Sequence, residues 1–176
     1  MYMLRGTNII LRPIKQEDLE TLERWNNDPD FIGEFNNFGL RGYGSQIRAF
    51  DEGGTLSDRS GHLVVTTLEG KLAGSMDYHM TRYGPNEGSK AYMIGIALAP
   101  EHQGKGYGVE AQQLLSAYLF AAFPIMRVEA MTDITNRPEQ RALEKAGFTR
   151  EGVVRKAQWR NGAWHDQILY SKLRGE

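Results

Sequence analysis

The chain reads as a mixed α/β domain, and three observations predict it. Apolar or alternating runs with the length and spacing of strands stand at 8–14, 61–68, 71–80, 90–98, 125–131, 148–158 and 163–173. Helical periodicity occupies 16–27, a short piece at 45–50, 111–122 and 136–147, so that helices interrupt the strand series. Between the apolar run ending at Pro100 and the longest helical pattern lies a glycine-rich turn, Gln103-Gly104-Lys105-Gly106-Tyr107-Gly108. No internal repeat and no linker divides the 176 residues, a length suited to one domain over residues 1–176 with a sizeable core.

Each element has a local reason. Pro13 stands near the exit of the first strand, where a missing donor is tolerated. The first helix places Leu19, Leu22 and Trp25 on one face and acids in its first turn, and Asp28-Pro29 is expected to stop it. From 31 to 54 regularity lapses. Phe31, Phe35, Phe38, Tyr43 and Phe50 mix with Gly and Asn, as in a lid over a pocket or a loosely packed excursion. Glu69-Gly70 makes a tight hairpin turn, and 84–88 is a loop of turn formers. The run 90–98 is apolar at nearly every position, as a central strand should be. The long helix repeats Ala111, Leu114, Leu115, Tyr118, Leu119 and Ala122 at helical spacing, and Pro124 ends it. Pro138 suits the first turn of the next helix, with Ala142, Leu143 and Ala146 facing inward and Gly147 as its C-cap. Arg160-Asn161-Gly162 joins the last two strands as a hairpin.

Composition removes several function classes. Twenty-one basic against 22 acidic residues leave a formal charge of −1, with no general drive toward nucleic acid. Cysteine is absent, which excludes disulfides, a thiolate metal site and a cysteine nucleophile. The four histidines, His62, His79, His102 and His165, are never three to five residues apart, so no metal site is expected. No apolar run approaches ~18 residues and the first residues lack a signal-peptide pattern, so a soluble, cytoplasmic protein without membrane contact is the expectation.

The glycine turn carries the chemistry. Glycines let backbone approach a ligand closely and adopt positive φ, and the helix behind them offers unpaired N–H groups and a positive dipole end. Strand, turn and helix start together predict an anion site suited to phosphate. A Walker loop is ruled out because Lys105 precedes Gly106 rather than Ser or Thr. The dinucleotide fingerprint fails as well, since the spacing is G-x-G-x-G and the turn lies past mid-chain.

Gln103 to Gly108 instead resembles the Q/R-x-x-G-x-G/A signature of the GNAT acetyltransferases. Asn136 followed by Leu143-Glu144-Lys145-Ala146-Gly147-Phe148 is similar to the second helix of that family. Arg12-Pro13-Ile14, Asp18-Leu19, Trp25-Asn26-Asn27-Asp28-Pro29, Arg150-Glu151-Gly152 and the closing 166–170 resemble its ribosomal-protein-alanine branch. The resemblance spans nearly the whole chain. It implies a mostly antiparallel twisted sheet of about seven strands flanked by about four helices, with acetyl-CoA as co-substrate. It further implies that the backbone of Ile96 and Leu98 pairs with the pantetheine arm. The pyrophosphate would rest on Gly104, Gly106, Tyr107 and Gly108, with Gln103 nearby, Lys105 either adding charge or simply solvated, and Asn136 meeting the arm.

Acetyl transfer from a thioester to an amine needs a polarised carbonyl, a neutral amine and a proton source for the leaving thiolate. The tyrosine that many family members place four residues before the helix-ending glycine is Leu143 here, and the branch's serine is Glu139. Glu139 reads as a base, as an acid with raised pKa, or as a carboxylate favoured by the helix dipole. His79 is a second candidate base, or a half-buried structural histidine. His102 is expected on the solvated side of the turn, Tyr92 and Tyr170 in the acceptor site or the core. Trp159 and Trp164 flank the last turn, where a homodimer or a substrate would dock. The function read from the sequence is N-acetylation of a primary amine, on a small molecule or a protein N-terminus. A module that binds coenzyme A without turnover is the alternative.

Overall fold

The computed structural model describes residues 4–176. Eight strands form one sheet: β1 (Leu4–Arg5), β2 (Ile9–Pro13), β3 (Ser60–Thr67), β4 (Leu72–Arg82), β5 (Lys90–Leu98), β6 (Arg127–Asp133), β7 (Thr149–Arg160) and β8 (Ala163–Leu173). Their spatial order is β1-β2-β3-β4-β5-β6-β8-β7. All neighbours are antiparallel except β5 and β6. Five helices accompany them: α1 (Leu19–Trp25, entered through a 3-10 turn), α2 (Pro29–Ile32), α3 (Ser45–Asp51), α4 (Tyr107–Ala122) and α5 (Arg137–Lys145). The additions to the sequence reading are small elements. β1 has two residues, too few for a periodicity to show. Pro29 does not only stop α1: as the first residue of α2, behind the Asp28 cap, it starts a new turn.

Alternation along the strands gives the sheet two covered faces. On one, Met76, Tyr78, Tyr92, Ile94, Val128, Ala130, Ile168 and Tyr170 pack with Ala111, Leu115 and Leu119 of α4 and Leu143 of α5. On the other, Val64 packs with Ile14, Leu19 and Leu22, with Trp25, Ile47 and Phe50 around them. Leu115 and Leu119 are fully buried, and a truncation of either to Ala costs about 2–5 kcal/mol. Arg12 is buried and clamps Asp18 with two hydrogen bonds of 2.7 and 2.9 Å, which fixes the passage from β2 into α1. The buried face of α4 differs from the predicted stripe. Ala122 is exposed, while Gln112 and Ser116 are buried beside Ala111 and Leu115. A stripe counted on apolar residues alone passes over these two polar ones.

β5 and β6 are in register only over Tyr92–Ile94 and Val128–Ala130. Beyond that, β5 continues to Leu98 against β4 and β6 to Asp133 against β8. The two central strands therefore diverge, and the backbone edges facing the gap have no strand partner. This is where a ligand can enter the sheet. Among the described residues no helix is long and apolar enough to cross a membrane.

Candidate active site

One wall of the divergence is the glycine turn. Gly104 and Gly106 have φ of +71° and +82°, and a Cβ on either would meet no heavy atom within 4 Å. Both need glycine for conformation, and both leave open space in front of the backbone. Gly106 is the N-cap of α4, and no side chain caps that helix. Its first N–H groups are thus free for a ligand. Gln103 turns back and donates from Nε2 to the Leu98 carbonyl at 3.0 Å, tying the turn to the end of β5. The cleft beside them has a volume of about 640 Å³. Ile96 and Leu98 form one side, Gln103, Gly104, Gly106 and Gly108 the floor, and Asn136, Pro138, Glu139 and Ala142 the far side, with residues 30–36 above. Lys105 is exposed and, with Tyr107, lies outside this lining. Tyr107 stacks on His102, their ring centroids 6.0 Å apart. His102 is buried, contrary to its expected solvated position, because this contact and the short turn at 100–102 pull it inward.

A second cavity of about 140 Å³ opens from the same gap. Phe35 and Phe38 roof it, and Gly95, Met131, Asp133, Gln158 and Gln167 line its walls. The aromatic stretch therefore covers the site. Its ends are tied down: the Glu23 carboxylate accepts from the backbone N–H of Gly44, Gln46 and Ile47 at the start of α3. Asn37 and Asn161 bond at 2.8 Å, and Arg160 lies 5.5 Å over the Phe35 ring. Asp133 and Arg160 form an ion pair of 2.6 Å with both side chains almost wholly buried. Burial alone would raise the Asp133 pKa, but Arg160 and Thr135 hydrogen bonds more than offset it and hold it below 3.8. His165 is in reach of both. Its Nε2 faces the Arg160 carbonyl at 3.1 Å, so Nε2–H donates there and Nδ1 accepts from the guanidinium.

Glu139 and Asn136 line both cavities and so mark their junction. Asn136 caps α5, its Oδ1 accepting from the Glu139 N–H at 3.3 Å. The Glu139 carboxyl does not return the bond, since the Asn136 N–H goes to the Asp133 carbonyl at 2.9 Å. It points instead to Gln112 of α4, whose Nε2 donates to Oε1 at 2.5 Å. Burial pushes the Glu139 pKa up to about 7, with the Gln112 bond as the opposing influence.

The other sequence candidates lie apart. His79 is exposed on β4 and lines neither cavity. Tyr92 and Tyr170 are buried, their hydroxyls donating to the Asp58 carbonyl and to Glu144, so both fill the core. Leu143 faces the core. Trp159 and Trp164 are exposed and stack edge to face. Gln112, Asp133 and Arg160 escape a sequence reading. The one signal available was a glutamine one position from the apolar stripe of α4.

The pattern of the acetyltransferase (GNAT) domain family matches residues 8–149. The chain belongs to the GNAT acetyltransferases. The "Probable N-acetyltransferase YjcK" of Bacillus subtilis is 30% identical over 175 residues, 95% of each chain. The structure of a Vibrio cholerae spermidine N-acetyltransferase in complex with CoA and spermine superposes with a TM-score of 0.81 at 19% identity, covering 96% of this chain and 97% of that one. A ribosomal-protein-S5-alanine acetyltransferase from Vibrio fischeri gives 0.79 at 23% identity, covering 100% and 98%. These two establish a shared fold. This GNAT chain is an acyltransferase whose acetyl donor is acetyl-CoA.

Proposed function

We propose that this GNAT enzyme acetylates the primary amine of a small molecule, with Glu139 as the group that takes the amine's proton. The observation that carries the reading is a carboxyl with pKa about 7 at the junction of a large cleft and a small cavity. The large cleft suits acetyl-CoA. Free N–H groups behind Gly104 and Gly106 match a pyrophosphate, and the unpaired edge of β5 at Ile96 and Leu98 matches an arm bearing amides. Acetyl-CoA supplies a thioester whose carbonyl a neutral amine attacks directly. No nucleophile from the chain is required, and the thiol is an adequate leaving group without a tyrosine at Leu143.

The chain's own part is to prepare the amine. An ammonium entering under Phe35 and Phe38 meets an aromatic roof, and aromatic faces attract cations. Glu139 takes one proton, leaving a neutral nitrogen beside the cleft. A base with a pKa near the working pH balances being ionised against being strong enough to act. The size of the small cavity favours a compact acceptor over a folded protein end, and the spermidine enzymes among the relatives act on small amines. The test is thiol release from acetyl-CoA with a panel of small amines and an alanine-terminated peptide, products read by mass. Acetylation confined to the peptide overturns the small-amine reading. Full activity of Glu139→Gln at neutral pH overturns the assigned proton acceptor.

A further inference from the structure

Gln112 is the odd residue of the long helix. It is 1% exposed and sits on the face that packs Ala111, Leu115 and Leu119 into the core. A buried side-chain amide needs partners for two donors and an acceptor. Its Nε2 has one in Glu139, while its Oε1 has none among the described residues. Leaving an amide oxygen buried and unpaired is expensive, and an apolar residue at this position would avoid the cost. Gln112 also lines the small cavity together with Glu139. The two side chains that carry the unsatisfied acceptor and the ionisable carboxyl thus line the same cavity from two different helices.

We propose that Gln112 is a positioning residue for the transfer step, whose amide N–H aims the Glu139 carboxylate and whose Oε1 receives an N–H of the acceptor ammonium. The inference rests on the proposed role of Glu139 and adds how that carboxylate is held and where the amine's remaining hydrogens go. An ammonium has three N–H bonds. One proton passes to Glu139, which becomes a neutral carboxyl, and the nitrogen keeps the electron pair that attacks the thioester carbon. A second N–H bonded to Oε1 orients that lone pair, which distance alone does not do. The thioester C–S bond then breaks, and the thiolate is protonated as the amide forms and loses its surplus proton.

The orientation of the amide is consistent with this. With Nε2 toward Glu139 the bond stabilises the ionised carboxylate, the form able to take a proton. Against the ionised carboxylate, the reverse orientation would set two acceptor oxygens against each other. Other charges around the cavity are already engaged or lie elsewhere. Asp133 is held by Arg160, and His165 bonds to the same guanidinium. Glu34 and Asp30 belong to the covering segment, and Arg141 and Lys145 line the outer cleft on α5. Glu110, on the first turn of α4, is committed to the N–H groups of Thr7 and Asn8. Burial and the Gln112 bond are the two influences that set the Glu139 carboxyl.

The experiment compares pH profiles of kcat/KM for the best amine of the panel in the parent, Gln112→Met and Gln112→Leu. Donor affinity is measured by calorimetry on the same samples. Removing the N–H bond raises the acid limb of the profile by about one pH unit, the order of one charge-assisted hydrogen bond. The plateau falls by about tenfold because the lone pair is no longer oriented, while coenzyme affinity stays within about twofold. Carbon NMR titration of the Glu139 carboxyl in folded Gln112→Met reads the same shift without turnover. Profiles that superimpose on the parent, or a loss confined to donor affinity, overturn the proposal. If Glu139→Gln loses activity while Gln112→Met keeps the parental profile, only this inference fails. If Glu139→Gln is fully active, the proposed proton acceptor fails and this inference with it.

Discussion

Arg160→Met should be the most damaging single change at the tip of the last hairpin, and the structure gives its size. Arg160 and Asp133 are both about 1% exposed and 2.6 Å apart. Methionine fills much of the volume but leaves the Asp133 carboxylate with the Thr135 N–H and hydroxyl, at 2.8 and 2.7 Å, and the His165 ring at 3.2 Å, none of them the buried cation it was paired with. Breaking a buried pair from one side costs roughly 3–5 kcal/mol, because the remaining charge stays desolvated. For a chain of this size that is a fall in Tm of roughly 6–20 °C. Asp133→Leu combined with Arg160→Met removes both charges and should recover most of the loss, since an apolar pair is often as stable as an ion pair. The pH dependence has a definite sign. Asp133 titrates below its usual value in the fold, so its contribution is present above 3.8 and disappears as pH falls through the lowered value. The gap between parent and Arg160→Met in urea melts should therefore narrow as the pH is taken below 3.8. A single variant that loses less than about 1 kcal/mol, or a double variant as unstable as the single, refutes the reasoning.

Three further outcomes follow from the site. Gly106→Asp places a carboxylate where the turn faces the cleft and strains a φ of +82°, so it should abolish coenzyme binding while costing about 1–2 kcal/mol in stability. Calorimetry with coenzyme A checks it, and unchanged affinity refutes the placement. Glu139→Gln should raise the Tm at pH 8 and leave it nearly unchanged at pH 4. The folded pKa of Glu139 is raised to about 7 from 4.5, so ionisation above that range destabilises the fold, by up to about 3 kcal/mol. Glu23→Ala removes the acceptor for three N–H groups at the start of α3 and should cost about 1–2 kcal/mol. Limited proteolysis should then cut first between 39 and 44.

The parts of the fold legible in the sequence are those governed by near neighbours along the chain. Strand patterns at 90–98 and 163–173 match β5 and β8 residue for residue, because alternation and burial are local signals. The glycine turn was legible because conformation itself demands Gly104 and Gly106. The junction of the cavities was not. Gln112 meets Glu139 across 27 residues, and Arg160 meets Asp133 across the same separation. Only the sheet order and the divergence of β5 from β6 bring such groups together. His102 misled for a related reason: its burial depends on Tyr107, a partner that only the geometry of the turn supplies.

Helix α4 begins at the turn and carries Gln112 on its buried face. The six residues from Gly106 to Gln112 span about 9 Å at 1.5 Å per residue, a rod too short to bend. Whatever tilts the helix must therefore displace the donor cradle and the partner of Glu139 together. Leu115 and Leu119, buried farther along, set that tilt from outside the cleft. A cavity made there is a remote mechanical error, and it should appear as weaker coenzyme binding and an altered pH profile at once, in a fixed proportion. Substitutions in the cleft itself would separate the two.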